Sequence, residues 1–208
     1  MTASLVHACR QAGVEDERVL DAVRAVDRTA FLPSAQKRSA TRDAPLPIGD
    51  GQTTSQPSLI ARMVQALHLT GDETVLEVGT GSGYQTAILS RLARSVVSID
   101  RHPSLVDSAT AALGGLDNVV LVVGDGTLGW PDLAPYDAIT VGATGPQVPP
   151  ALLEQLADGG RLVIPVGPPN RSSLQRWIRR GTESVGPEQL MQVRFVPLIG
   201  EAGFADED

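Results

Sequence analysis

Two polar, glycine-bearing stretches about twenty residues apart hold the residue types that could do chemistry in this chain. The first is "IGDGQTTSQP" (48–57), which mixes glycines, threonines, a serine and a glutamine and has no apolar face. The second is "LEVGTGSGYQ" (76–85), with Gly79, Gly81 and Gly83 following Glu77. Glycine reaches positive φ and lets a ligand approach the backbone closely, so the second stretch reads as a ligand-binding turn. A dinucleotide fingerprint wants G-x-G-x-x-G, and counted from Gly79 its last position is Tyr84, which speaks against that cofactor. Two carboxylates follow at the ends of apolar runs, Asp100 closing "VVSID" and Asp125 inside "GDG". At Asp100 a carboxylate can accept hydrogen bonds from both hydroxyls of a ribose; its competing role is to cap the helix that follows. In the first stretch the Ser55 hydroxyl can donate to a carboxylate and hold it in place, or Ser55 or Gln56 can cap a helix beginning near Pro57. Gln52 and Thr53 line the same site or bond within the turn.

These residues need elements to position them. Helical spacing runs through residues 2–12 and 16–25, and four prolines (33, 45, 47 and 57) predict an irregular arm over 33–57. Pro57 suits a first helical position, with Leu59, Ile60, Met63, Val64 and Leu67 on one face. Alternation begins after that. Strands are predicted at 74–79, 96–100, 119–125, 136–143 and 160–167, with helices at 84–93, 103–114 and 148–157. Continuous β-branched runs separated by helices mean parallel strands covered on both faces. "SLQRWIRRG" and "MQVRFVPLI", joined by the turn-rich "TESVGPEQ", predict an antiparallel end, with Arg171, Arg176, Arg179 and Arg180 solvated along an edge strand. The closing "ADED" reads as a frayed acidic tail.

The chain has 208 residues and a net charge of -7, enough for one sizeable core and acidic enough to disfavour a general nucleic-acid or membrane-surface binder. A lone cysteine, Cys9, excludes an intrachain disulfide, and no stretch has the length of a membrane span or signal peptide, so the expected compartment is the cytoplasm.

The spacing E-x-G-x-G-x-G over 77–83 resembles that of S-adenosylmethionine-dependent methyltransferases. "PLPIGDGQTTSQP" (45–57), "VLEVGTGSGYQTAILSRL" (75–92), "GDGTLGWPDLAPYDAITVGA" (124–143), "VPPALLEQLADGGRLVIPVG" (148–167) and "VRFVPLIG" (193–200) together resemble the protein-L-isoaspartate O-methyltransferase family, in order over about residues 20–200. The resemblance implies a three-layer αβα doubly wound, Rossmann-like sheet, mostly parallel with an antiparallel C-terminal end, plus an N-terminal helical arm. It implies one domain: residues 1–57 as helices and active-site loop, 58–167 as cofactor-binding core, 168–208 as C-terminal strands and tail. The implied cofactor is S-adenosyl-L-methionine, leaving as S-adenosyl-L-homocysteine, with no metal. The resemblance assigns it Gln52, Thr53, Thr54, Glu77, Gly79, Thr80, Gly81, Ser82, Gly83, Asp100, Asp125 and Gly126, with Asp125 beside the adenine. Ser55 is the implied catalytic residue, and Thr53, Ser55 and the backbone of Val196, Pro197 and Leu198 the implied substrate site.

The implied reaction methylates the α-carboxylate of an L-isoaspartyl residue, and the ester then closes to a succinimide that can reopen as normal aspartate. Since a carboxylate is ionised at neutral pH, no general base is required, and His7, His68 and His102 need no catalytic role. The amino-methylase motif Asn/Asp-Pro-Pro-aromatic is missing where "VGATGP" (141–146) stands, which again disfavours nucleic acid. Departures from the family's pattern are Thr54 in place of an apolar residue, "SATRD" (39–43) without an aromatic, and "GATGP" in place of an alanine-rich run. They bear on substrate preference. The expected partners are isoaspartyl proteins and peptides, met by a monomer. One alternative is a peptide-maturation enzyme that esterifies an aspartate of a dedicated precursor; a second is an adaptor that binds the cofactor without catalysis.

Overall fold

The computed structural model describes residues 2–206. Three helices come first: α1 (Thr2–Gln11), α2 (Glu17–Ala25) and, after the arm, α3 (Pro57–Ala66). Asp16 begins α2 by accepting the Arg18 N–H at 2.9 Å, and Pro57 occupies the first turn of α3, where its missing N–H costs nothing. The arm is not wholly irregular. Residues Leu46–Gly49 (β1) and Gln52–Thr54 (β2) pair antiparallel as a hairpin, which the prolines concealed because Pro47 can sit on a two-stranded ribbon with a free edge.

The main sheet comprises β3 (Thr74–Val78), β4 (Ser95–Asp100), β5 (Val119–Val123), β6 (Tyr136–Val141), β7 (Leu156–Val166), β8 (Ser172–Arg180) and β9 (Glu183–Val193). Their order is β5-β4-β3-β6-β7-β8-β9, parallel through β7 and antiparallel beyond it. Helices α4 (Tyr84–Leu89), α5 (Pro103–Leu113) and α6 (Pro150–Glu154) lie between strands. Strand residues alternate between two cores, as a two-residue period requires. Val75, Val96, Ala138 and Val163 pack with α1 to α5, and Leu76, Val97, Ile139 and Leu162 pack on the opposite face with Leu152 of α6.

Four expectations need correction. The last strand begins at Glu183, inside the stretch expected as a link, and ends at Val193, because β9 pairs along β8 from the tight turn at residues 181–182. Residues 194–199 form no strand; Pro197 makes an isolated bridge to Thr144. The edge is β9 rather than β8, and two of the four arginines are engaged, Arg176 with Glu188 and the Arg179 guanidinium with the Leu153 carbonyl at 3.2 Å, while Arg171 and Arg180 are exposed. In the tail, Asp206 pairs with Arg101, while residues 207 and 208 lie outside the described residues. No helix among the described residues is long and apolar enough to cross a membrane.

Candidate active site

β3 is the point where the topology reverses, pairing with β4 on one side and β6 on the other. Chains leaving the carboxyl ends of such neighbours diverge and open a crevice. The crevice contains a cavity of about 130 Å³ walled by the glycine turn after β3, Asp100 to His102 after β4, Gly142 and Ala143 after β6, residues 52–55 of the arm, and residues 196–199.

The turn is built so that backbone faces the cavity. Gly79 has φ +95°, and a Cβ there would stand 3.7 Å from the Gly142 backbone across the crevice. Beneath the turn lies a fully buried chain of side chains. Glu77 Oε2 accepts the Thr86 hydroxyl at 2.5 Å and the Ser98 hydroxyl at 2.7 Å. Ser98 has spent its proton on Glu77, so Thr80 donates to it in turn, at 2.6 Å. Glu77 Oε1 has no partner among the described residues, and burial pushes the carboxyl up to about 7 against those hydrogen bonds. Asp100, 7% exposed, binds the turn from the other side: Oδ2 accepts the Gly81 N–H at 2.8 Å and Oδ1 the His102 N–H at 3.0 Å. It therefore braces the residue just ahead of α5 without capping the helix itself, which has His102 at its N-cap, while also lining the cavity. Each of its oxygens accepts one N–H and keeps a second lone pair, the capacity a ribose diol needs.

A second cavity of about 870 Å³ lies beyond the first, and Thr53, Ser55, Gly142 and Val196 line both. Ser55 is thus at the junction. Its hydroxyl has no hydrogen-bond partner among the described residues, and its carbonyl accepts from Arg28 Nη2 at 3.2 Å. It does not cap α3. Asp43 does so from fifteen residues away, accepting the Ser58 N–H at 2.9 Å, the Ser58 hydroxyl at 2.8 Å and the Gln56 amide at 2.8 Å. Arg28 is 1% exposed and also donates to the carbonyls of Arg42 and Ala44, at 2.8 and 2.9 Å, so one guanidinium ties the arm to the serine.

Gln52, Thr53, Thr54, Ser55, Gly79, Thr80, Gly81, Ser82, Asp100, Gly126, Val196, Pro197 and Leu198 meet around the first cavity. Glu77, Gly83 and Asp125 do not line it. Glu77 lies under the turn, and Gly83 is where α4 approaches α5, a Cβ there meeting Ala109 Cβ at 3.2 Å. The Asp125 carboxylate accepts from the Thr127 N–H and hydroxyl and from the Glu201 N–H. Burial raises its pKa, but those hydrogen bonds outweigh burial and hold it below the ordinary value. The Val196 carbonyl and Leu198 N–H bond to Thr144 at 2.8 and 2.7 Å, which engages one edge of this backbone; Val196 also lines the larger cavity. His7 and His68 line neither cavity; His102 lines the first, where its N–H serves Asp100. Sequence reasoning missed Arg28 and Asp43, whose partners are too distant in the chain to leave a local signal, and Gln85, which stands within the quoted glycine segment. No group of three or more His, Cys, Asp or Glu that could hold a metal occurs among the described residues.

The chain is similar to known proteins in sequence and fold. A curated protein-L-isoaspartate O-methyltransferase of Myxococcus xanthus is 51% identical over 195 residues, 91% of this chain and 92% of its own length. A solved protein-L-isoaspartate O-methyltransferase superposes with a TM-score of 0.87 at 29% identity, over 98% of this chain and 67% of that one. A Plasmodium falciparum protein solved in complex with S-adenosyl-L-homocysteine shares the fold, with a TM-score of 0.80 at 24% identity over 94% of this chain and 97% of its own. The profile of the protein-L-isoaspartate(D-aspartate) O-methyltransferase family matches residues 1–203. With glycine turn, acidic strand ends and a serine-bearing arm in one crevice, and with a family profile spanning nearly all of it, this chain belongs to the protein-L-isoaspartate(D-aspartate) O-methyltransferase family.

Proposed function

We propose that the protein is a repair methyltransferase that esterifies the α-carboxylate of L-isoaspartyl residues in damaged proteins and peptides. The observation that carries this reading is the placement of Ser55, an unpartnered hydroxyl at the junction of a small cavity walled by the glycine turn and a larger open one. The small cavity suits S-adenosylmethionine, which when bound supplies a methyl group on sulfonium, already activated for attack by a carboxylate.

The chain's own residues then have positional tasks. Asp100 accepts from the ribose hydroxyls, and the turn from Gly79 to Ser82 lets the ligand lie against backbone. Gly126 lets its backbone pack directly on β3 beside the cavity, since a Cβ there would collide with Val78 Cγ1 at 2.4 Å. Glu77 and Gly83 act through the turn as positioning residues. Asp125 fixes the segment beside the adenine by binding the Glu201 N–H. Ser55 donates to one oxygen of the acceptor carboxylate and holds the other in line, while Gln52, Thr53 and Thr54 exclude water from above. The acceptor is ionised at neutral pH, so no proton needs to be moved before attack. Gln52, Thr53 and Thr54 of the hairpin line the same cavity as the glycine turn. Ile48 Cδ1 would lie 3.4 Å from a Cβ on Gly81, and the Ser104 hydroxyl latches Asp50 at the hairpin tip.

In this reading the chain works as one methyltransferase domain and as a monomer. A net charge of -7 supports peptide rather than nucleic acid or anionic membrane as partner, and a lone thiol supports a cytoplasmic location.

The test is methyl transfer to paired isoaspartyl and aspartyl peptides of identical sequence. Only the isoaspartyl peptide should be methylated; methylation of the aspartyl form alone would instead favour maturation of a precursor. Ser55→Ala removes one hydrogen bond to a charged group, about 1.5–3 kcal/mol, so turnover should fall about 10- to 150-fold. Cofactor affinity should stay within about threefold, because Ser55 faces the acceptor. Unchanged turnover would remove the serine from the mechanism.

A further inference from the structure

The charged side chains lining the larger cavity are all of one sign. The chain carries 24 acidic and 17 basic side chains, yet this cavity's lining includes Arg62, Arg171 and Arg194 and no Asp or Glu. Among the described residues Arg10, Arg24, Arg101, Arg161 and Arg176 each face a carboxylate within 4 Å, while others outside the cavity, such as Arg38, Arg91 and Arg180, do not; what distinguishes the cavity is that three gather at one opening with no acid in its lining. None of the three cavity arginines has such a partner among the described residues. Arg62 spends one N–H on the Ala12 carbonyl at 2.8 Å, while Arg171 and Arg194 are exposed. Three guanidiniums left unpaired around one opening, in a protein with an excess of acid, make a locally positive groove in a negative field. Low-dielectric walls concentrate such a field on whatever enters.

We infer that this groove selects isoaspartyl sites flanked by acidic residues, with Arg62, Arg171 and Arg194 as the specificity-determining side chains. The inference rests on the proposed reaction and adds a substrate class to it. The groove meets the methyl-transfer cavity at Thr53, Ser55 and Val196, so a peptide whose carboxylate reaches Ser55 extends its neighbouring residues past the arginines. A short acidic peptide fits better than a nucleic acid. Its few charges sit beside the isoaspartyl residue, whereas a long polyanion would also meet the negative remainder of the surface. A guanidinium forks onto a carboxylate in a way that also makes contact directional. Half-exposed pairs of this kind contribute modestly, about threefold in affinity each, so two engaged arginines give about tenfold.

The experiment uses three isoaspartyl peptides of one length, with Glu, Gln or Lys at the residues flanking the isoaspartate, and the full-length protein. KM should rise in the order Glu, Gln, Lys, with about tenfold between the ends, and the span should shrink as salt is added. An Arg171→Gln/Arg194→Gln double variant should compress that span to about twofold, and Arg171→Lys/Arg194→Lys should restore part of it. Both positions are exposed, so the variants should fold; a general fault would raise KM for all three peptides together and leave the order intact, which would overturn the assignment. Equal KM values for the three peptides in the natural protein would overturn it as well. So would an oligonucleotide that inhibits the natural protein, but not the double variant, while peptide KM values stay equal; the groove would then belong to a polyanion. Methylation of none of the peptides would overturn the reaction itself, and this inference with it. Methylation of all three without charge order would overturn the inference alone.

Discussion

Replacing Glu77 by glutamine should change how the stability of the cofactor-free protein depends on pH. Glu77 is fully buried, accepts the Thr86 and Ser98 hydroxyls through Oε2, and has an unpartnered Oε1. Burial raises its pKa from 4.5 to about 7. Between those values the folded protein holds a proton that the unfolded chain has released, so stability falls as pH rises. A gap of about 2.5 at about 1.4 kcal/mol per unit is a loss of about 3 kcal/mol by pH 8, of which about 2 kcal/mol develops above pH 5.5. Glutamine retains an acceptor oxygen for both hydroxyls and does not titrate, so any cost of its amide is the same at every pH. Urea unfolding of both proteins from pH 5.5 to 8 should show the difference moving by about 2 kcal/mol in favour of Glu77→Gln. All other titrating groups are common to the two proteins and cancel. Parallel stability profiles would refute the reasoning, because they would mean that Glu77 keeps an ordinary carboxylate pKa in the folded protein.

Two further predictions concern the arm. Arg28→Met leaves the carbonyls of Arg42, Ala44 and Ser55 without the buried guanidinium that binds all three and should cost about 2–4 kcal/mol in urea unfolding, with KM for an isoaspartyl peptide rising as Ser55 loses its anchor. Asp43→Ala removes the long-range cap of α3 and should cost about 1–2 kcal/mol; an unchanged unfolding midpoint would show that solvent replaces the carboxylate freely.

Much of the sheet was legible because its signals are local. β-branched runs marked β3, β4 and β6, and their alternate residues divide between the two cores as the pleat demands. The glycine turn and Asp100 were legible for the same reason: positive φ and a strand-terminal carboxylate are properties of a few consecutive residues. Where pairing partners decide the outcome, local reading fell short. The hairpin of β1 and β2 hid behind prolines, and β9 ran through a stretch that looked like turn, because strand pairing to β8 overrides weak propensity. The pairing of Val196 and Leu198 with Thr144 was likewise hidden, because those residues stand far apart in the chain.

Ser55 shows where the division falls. By itself the sequence determined that a hydroxyl stands just ahead of a helix in a polar loop, and offered two roles for it. Only the tertiary structure decided between capping and the junction of two cavities, because the competing cap, Asp43, arrives across a loop that local spacing does not describe. The same holds for Arg28 and for the three arginines of the larger cavity. Their residue types are written in the chain, but burial, missing partners and shared walls exist only once distant segments have packed together.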